Sequence, residues 1–433
     1  MSPTALARAL RDARLLVCVG TGGVGKTTVA AALALAGARL GRRTLVLTID
    51  PARRLANAFG RDAVGAEPVR VSLDPPASAD DAAAPPFLEI MMLSTRHAFD
   101  QLVFRLTRDE ETRRRILANR IYHHLAEALA GSSEYAAMAE VQALVESERY
   151  DLIVVDTPPA EHALDFLRAP GRLQAFLDSR FFHALVRPAM SASRFSLRLF
   201  AGPLHRALGL LERIAGIGFL EDLSDLLRAL DGLAEGLSSR ARRVEEVLFG
   251  DETKFVLVCR ALAGSERSAV DFVAGIEALG APLAAVVVNR IHPWPLAEEP
   301  DRLLERCRGE ALAADVATLA AVLGRARPAS GGRVGAPGTD AAEPGAGPAV
   351  QAGAGGVDGV DARQPDPEAG ARAIADATLE AARGCALERR RLLTLASAAS
   401  ERGVECIRIT ERSEPLDRLE GLIDIAAQLT GES

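Results

Sequence analysis

The run Gly20-Thr21-Gly22-Gly23-Val24-Gly25-Lys26-Thr27-Thr28 carries the clearest chemistry in this chain. It fits the pattern G-x-x-x-x-G-K-[ST], and an apolar strand pattern precedes it while a helical one follows. Glycines in such a loop let backbone N–H groups wrap a phosphate, and the positive end of the helix dipole adds to the attraction. Lys26 is placed to reach the β- and γ-phosphates, and the Thr27 hydroxyl is a hard oxygen suited to Mg²⁺. Lys26 and Lys254 are the only two lysines in the chain, so a lysine here is not background.

Two aspartates fall where such a loop needs acidic partners. Asp50 closes the strand pattern of Thr48-Ile49-Asp50-Pro51-Ala52-Arg53-Arg54-Leu55, and Asp156 closes Asp151-Leu152-Ile153-Val154-Val155-Asp156. In open α/β sheets ligands sit beyond the carboxyl ends of the strands, so both carboxylates are expected to face the phosphate loop. An apolar strand ending in aspartate is the expected Mg²⁺-side carboxylate, which leaves the other acid to orient water.

The elements that must position these residues are strands without alternation: 15–20, 43–50, 87–93, 151–156, 254–259, 283–289 and 404–409. Continuous apolar strands separated by helical patterns predict a doubly wound, mostly parallel α/β sheet of about seven to eight strands covered on both faces. Two stretches, about 96–148 and 172–249, read as helical insertions. The second holds Phe176, Phe181, Phe182, Phe195, Phe200 and Phe219 among many leucines. Residues 328–368 are rich in Gly, Ala and Pro and contain no Leu, Ile or aromatic residue, which predicts a disordered linker. The expected organisation is a phosphate-loop domain over 1–327, the linker, and a segment 369–433 too small for its own core that completes the sheet.

The length of 433 residues, 48% hydrophobic and 25% charged, suits a large globular core. A formal charge of −7 argues against a nucleic-acid partner. No run is apolar enough for a direct membrane span, and the N-terminus does not read as a secretory signal. Five scattered cysteines (18, 259, 307, 385 and 406) suggest reduced thiols and a cytoplasmic setting.

The segments GTGGVGKTT, TIDPARRL and DTPPAEHALDFL resemble the phosphate loop, switch I and switch II of the ArsA-type ATPases. That family comprises the arsenite-pump ATPase and the ATPase that targets tail-anchored membrane proteins, within the wider MinD/ParA-like group of P-loop NTPases. The resemblance implies ATP hydrolysis with Mg²⁺ in a nucleotide-dependent homodimer. Residues 20–28 would hold the nucleotide, Asp50 would polarise the water, and Thr27 and Asp156 would serve the metal. Thr157, Pro158 and His162 would form the moving switch, and Asn289 would match the asparagine that reads adenine. Three departures stand out. Thr21 occupies a position where the family loop, as in GKGGVGKT, usually carries a lysine that reaches the partner's nucleotide, so Arg53 or Arg54 becomes a candidate arginine finger. No cysteine follows switch II where a metalloid site would need one, and Cys307 stands alone where some members carry a zinc-binding pair, so no structural zinc is expected. The predicted output is a switch acting on a client protein or membrane partner through the helical insertion. The alternatives are an arsenite- or antimonite-transporting subunit and a weakly hydrolysing, nucleotide-gated binding module.

Overall fold

The computed structural model describes residues 4–49, 54–61, 64–72, 86–93, 95–107, 109–119, 132–158, 163–178, 236–306, 367–412 and 419–431. Its strands are β1 (Leu15–Val19), β2 (Arg43–Thr48), β3 (Val69–Val71), β4 (Phe87–Met92), β5 (Leu152–Asp156), β6 (Thr253–Cys259), β7 (Leu283–Ile291) and β8 (Glu405–Thr410). They form one sheet in the order β3-β4-β2-β5-β1-β6-β7-β8. Every pairing is parallel except β3 with β4.

The seven strands expected from sequence are all present. The eighth, β3, falls within the expected seven to eight, but no segment marks it in the sequence: three residues are too few to give a periodic signal, and its antiparallel pairing needs only one neighbour at the sheet edge. The tail strand β8 runs beside β7, bringing residues 405–410 back to the sheet formed earlier in the chain.

Burial on both faces explains the non-alternating strands. Leu15, Val17 and Val19 of β1 point into one core with Ile153, Val155, Phe255 and Leu257. Leu16 and Cys18 point into the other with Val46, Val154, Val256 and Val258. The first core is covered by α4 (Thr95–Leu106), α6 (Ser132–Glu146), α7 (Ala163–Leu177), α8 (residues 236–248) and α9 (Ser265–Ala278). Between α4 and α6 lies α5 (Glu110–Ala118), which Asp109 caps by accepting from the Thr112 N–H. The second core is covered by α1 (Ala5–Asp12), α2 (Lys26–Arg39), α3 (Arg54–Ala58) and α12 (Leu419–Thr430). Helix α2 is buried almost all round, which its run of alanines permits by letting neighbours approach closely. It packs on α12, whose Leu422, Ile425, Ala426 and Leu429 make the spaced apolar stripe of an amphipathic helix.

Backbone contacts divide the chain into two units, Met1–His292 with Arg391–Ser433, and Pro293–Arg390. The second unit contains α10 (Pro300–Arg306) and the first part of α11 (Pro367–Ser400). Its small cluster joins Leu303, Leu379 and Ala382 with Trp294, whose Nε1–H donates to the Glu298 carbonyl at 2.7 Å. Helix α11 begins at Pro367, within the last two residues of the stretch 328–368 expected to be linker. Pro367 at its first position and the Ala, Glu and Arg residues that follow are helix-compatible, although poor in the leucines that sequence patterning relies on. Linker residues 328–366 and most of the second insertion, including Phe181, Phe182, Phe195, Phe200 and Phe219, lie outside the described residues.

A buried polar cluster sits in the amino half of β4. The Tyr150 hydroxyl donates to Glu89 at 2.7 Å, and Arg149 reaches both carboxylate oxygens at 2.7 and 2.9 Å. Tyr150 also packs edge-on against Phe87 at 6.1 Å. Burial, then the Glu89 contact, push the Tyr150 hydroxyl far above the usual tyrosine range, so it stays a donor. Replacing Glu89 by alanine leaves that buried hydroxyl without its acceptor and is expected to cost about 1–3 kcal/mol. Urea denaturation checks this; unchanged stability would show that water satisfies the tyrosine.

Candidate nucleotide site

The site begins where β1 runs out. Gly20 leaves the strand so close to β6 that a Cβ on it would lie 2.0 Å from the Val258 carbonyl oxygen. Gly23 and Gly25 then adopt φ of +74° and +91°, a left-handed backbone that glycine takes without steric penalty. Gly25 is the N-cap of α2, and no side chain caps that helix start. The first-turn N–H groups of α2 are therefore directed at the loop, as an anion site requires. Val24 is buried, while Gly22 and Gly23 are exposed and Thr21, Gly25 and Thr28 are half-buried.

Lys26 is 7% exposed, and its Nζ donates to the Thr21 carbonyl at 3.0 Å, folded back across the loop it must serve. Lys254, the other lysine, lies at the start of β6 and donates to the Asp251 carbonyl, at the opposite end of the strands.

The Thr27 hydroxyl donates to Asp156 Oδ2 at 2.7 Å. The same oxygen accepts from the Thr48 hydroxyl at 2.9 Å. Asp156, at 1% exposure, thus joins the phosphate loop to the carboxyl end of β2, the strand leading into Asp50. Thr48 was not singled out from sequence: a hydroxyl inside an apolar strand gives no signal until the fold shows its neighbour. The Thr27 hydroxyl and Asp156 carboxylate are adjacent hard oxygens, a donor pair that fits Mg²⁺ and does not favour soft metals.

Thr157 is anchored rather than exposed to the site. Its hydroxyl donates to the Cys18 carbonyl at 2.8 Å and its N–H to the same oxygen at 3.3 Å. Pro158 is half-buried. Asn289 is 6% exposed, and its Nδ2 donates to the Val24 carbonyl at 2.8 Å. Arg54 begins α3 with an exposed side chain. Asp50, Arg53 and His162 lie outside the described residues. Lys26, Thr27, Asp156 and Asn289 are thus gathered around one loop at the carboxyl end of the sheet, the place that such topologies reserve for ligands.

The cysteines of the strands are core residues. Cys18 and Cys259 are buried and Cys406 half-buried. Burial, with a smaller push from Asp156, raises the Cys18 thiol far above its usual value, and burial pushes the Cys259 thiol up to about 12. Protonated thiols are poor metal ligands.

Similarity to known proteins agrees with this geometry. The chain is 28% identical over 300 residues to the ATPase GET3 of Malassezia globosa, an alignment that covers 69% of this chain and 77% of that one. It is 27% identical over 281 residues to the ATPase get3 of Aspergillus terreus, covering 63% and 71%. A putative arsenical pump-driving ATPase of Halobacterium salinarum is 30% identical over 174 residues, covering 39% of this chain and 26% of that one. The family model described as anion-transporting ATPase matches residues 13–310, and with the phosphate loop in place the chain belongs to that ArsA-type family as an ATP hydrolase.

Proposed function

We propose that this ATPase is a Mg²⁺-dependent homodimeric switch that couples ATP binding and hydrolysis to a client protein or membrane partner in the cytoplasm. The observation that carries the reading is the double contact of Asp156 Oδ2 with Thr27 and Thr48. One carboxylate touches the phosphate loop and the strand that feeds switch I, while Thr157 beside it begins switch II. A change at the phosphates is therefore felt at once by both segments that the family resemblance assigns to movement.

In this reading Thr27 and Asp156 hold Mg²⁺, which supplies charge neutralisation across the phosphates when bound. Lys26 exchanges its Thr21 contact for phosphate oxygens. The first-turn amides of α2 orient the anion. Asp50, two positions after the last residue of β2, holds the attacking water. Arg53 or Arg54 stands in for the positive charge that Thr21 does not provide. Client binding is assigned to the helical insertion, whose exposed apolar residue Phe104 lies on α4 beneath the Arg113 guanidinium. No helix among the described residues is long and apolar enough to cross a membrane.

Steady-state ATPase assays with Mg²⁺ test this, comparing the parent with Asp50→Asn, with and without antimonite. The expected result is turnover that falls at least about 10²-fold in the variant and is indifferent to metalloid. Metalloid stimulation would restore the arsenite-pump reading, and equal turnover in parent and variant would leave a nucleotide-gated binding module.

A further inference from the structure

The phosphate loop leans on the carboxyl ends of β6 and β7. At its start the Cβ position of Gly20 lies 2.0 Å from the Val258 carbonyl oxygen, and near its end the Cβ position of Gly25 lies 2.3 Å from the Asn289 Nδ2. Arg260 stands beside both points. It follows β6 directly, two residues beyond Val258. Cys259 pairs with Val288, so one step further the same parallel register sets Arg260 level with Asn289. Alternation along the strand fixes the face. Leu257, Cys259 and Ala261 belong to the core away from α2, and Val258 belongs to the core on the α2 side. Arg260 therefore falls on the α2 side, the side on which the Asn289 amide reaches the Val24 carbonyl and Gly25 opens α2. Arginine is the common cation of this chain, so nothing marks Arg260 in the sequence; the strand register singles it out.

We propose that Arg260 is a phosphate-binding residue, whose guanidinium takes oxygens of the nucleotide's polyphosphate from the β6 side of the loop. The inference deepens the nucleotide reading of this site and rests on it. Arg260 is half-buried, and its Nε is shielded from solvent. Taking a cation partly out of water is costly, and the cost is offset where an anion arrives to meet it. The loop itself is short of positive charge: within residues 20–28 Lys26 is the one cation, against a ligand that carries several negative charges. A guanidinium is suited to supply the rest. It stays charged at any working pH, and its planar fork offers two parallel donors to a phosphate. Lys26 approaches from the first turn of α2 and Arg260 from the end of β6, so the polyphosphate is held from two elements.

Calorimetric titration of the full-length protein with ADP and with inorganic diphosphate, each with Mg²⁺, tests this. Arg260→Gln keeps much of the side chain and its hydrogen-bonding capacity but drops the charge. It should weaken both ligands by the same factor, about tenfold or more. Arg260→Lys should recover part of the loss, because the charge returns without the planar fork. A second measurement needs no variant. Phenylglyoxal modifies arginine side chains, and its rate at Arg260 in the parent protein, read by mass spectrometry of the digested chain, should fall when inorganic diphosphate and Mg²⁺ are present. Circular dichroism confirms that the variants fold, and if Arg260→Gln does not, the modification rate decides alone. A folded Arg260→Gln protein that binds both ligands as the parent does would overturn the inference while leaving the nucleotide reading intact, and so would a modification rate indifferent to diphosphate. A loss confined to ADP, with diphosphate bound normally, would also overturn it and move the contact to the ribose or base. A parent that binds neither ligand would overturn the nucleotide reading itself, and the role of Arg260 with it.

Discussion

Replacing Lys26 by alanine is expected to lower ATP turnover by about 10²–10³-fold, the effect of removing one preorganised charge-stabilising donor from a catalytic site. The fold should survive. The ammonium donates to the Thr21 carbonyl at 3.0 Å, a half-buried loop group, and alanine is a good residue for the first turn of α2. Nucleotide binding should weaken less than turnover, because the loop amides and the dipole of α2 remain. Arginine is not expected to rescue: Lys26 is 7% exposed, and a planar guanidinium needs more room than a compact ammonium does. Nor can the chain's other lysine substitute, since Lys254 sits at the amino end of β6. Coupled assays of phosphate release, with circular dichroism to confirm folding, check this. A well-folded Lys26→Ala protein with parental turnover would mean that the charge on the phosphates is met elsewhere, and Arg53 and Arg54 would be the first places to look.

A residue's role is legible in the sequence when it is local and hidden when a distant partner sets it. Gly20 to Thr28 announce themselves because glycine spacing, lysine and threonine act within one turn. Asp156 was legible for a related reason, as an acid at the end of an apolar run. Thr48 was not, because its meaning comes from an aspartate 108 residues away on the neighbouring strand. Asn289 was found as a residue while its contact was not: the Val24 carbonyl is 265 positions distant, and backbone groups carry no sequence label. The same distinction applies to the fold. The parallel strands were visible through continuous apolar runs, while β3 is three residues long and was not. The start of helix α11 is not legible, because its first turns are made of alanine and charged residues, which satisfy a helix without the apolar periodicity that marks one.

Among the described glycines, Gly20→Ala should be the most damaging added methyl. The hypothetical Cβ lies 2.0 Å from the Val258 oxygen and 3.0 Å from the Val258 carbon, and both are backbone atoms. A flexible side chain could swing aside, but β6 cannot. It is hydrogen-bonded to β1 on one side and β7 on the other, in register from Leu15–Thr253 through Val19–Leu257. Relief must come from displacing the start of the phosphate loop or prising apart the two central strands. Overpacking of this kind costs about 1–3 kcal/mol or more. Gly41 provides the control. Its φ of +89° penalises alanine too, yet nothing lies within 4 Å of its Cβ position. Gly41→Ala should therefore cost only the left-handed backbone term of about 1–2 kcal/mol and leave nucleotide affinity unchanged. If the collision at Gly20 is what matters, its alanine variant loses both stability and nucleotide binding, measured by denaturant unfolding and calorimetry, whereas the Gly41 variant loses only stability. Equal, modest destabilisation in the two with binding retained would show that the loop can shift away from β6, and that the close approach at Gly20 is not what fixes the phosphate site.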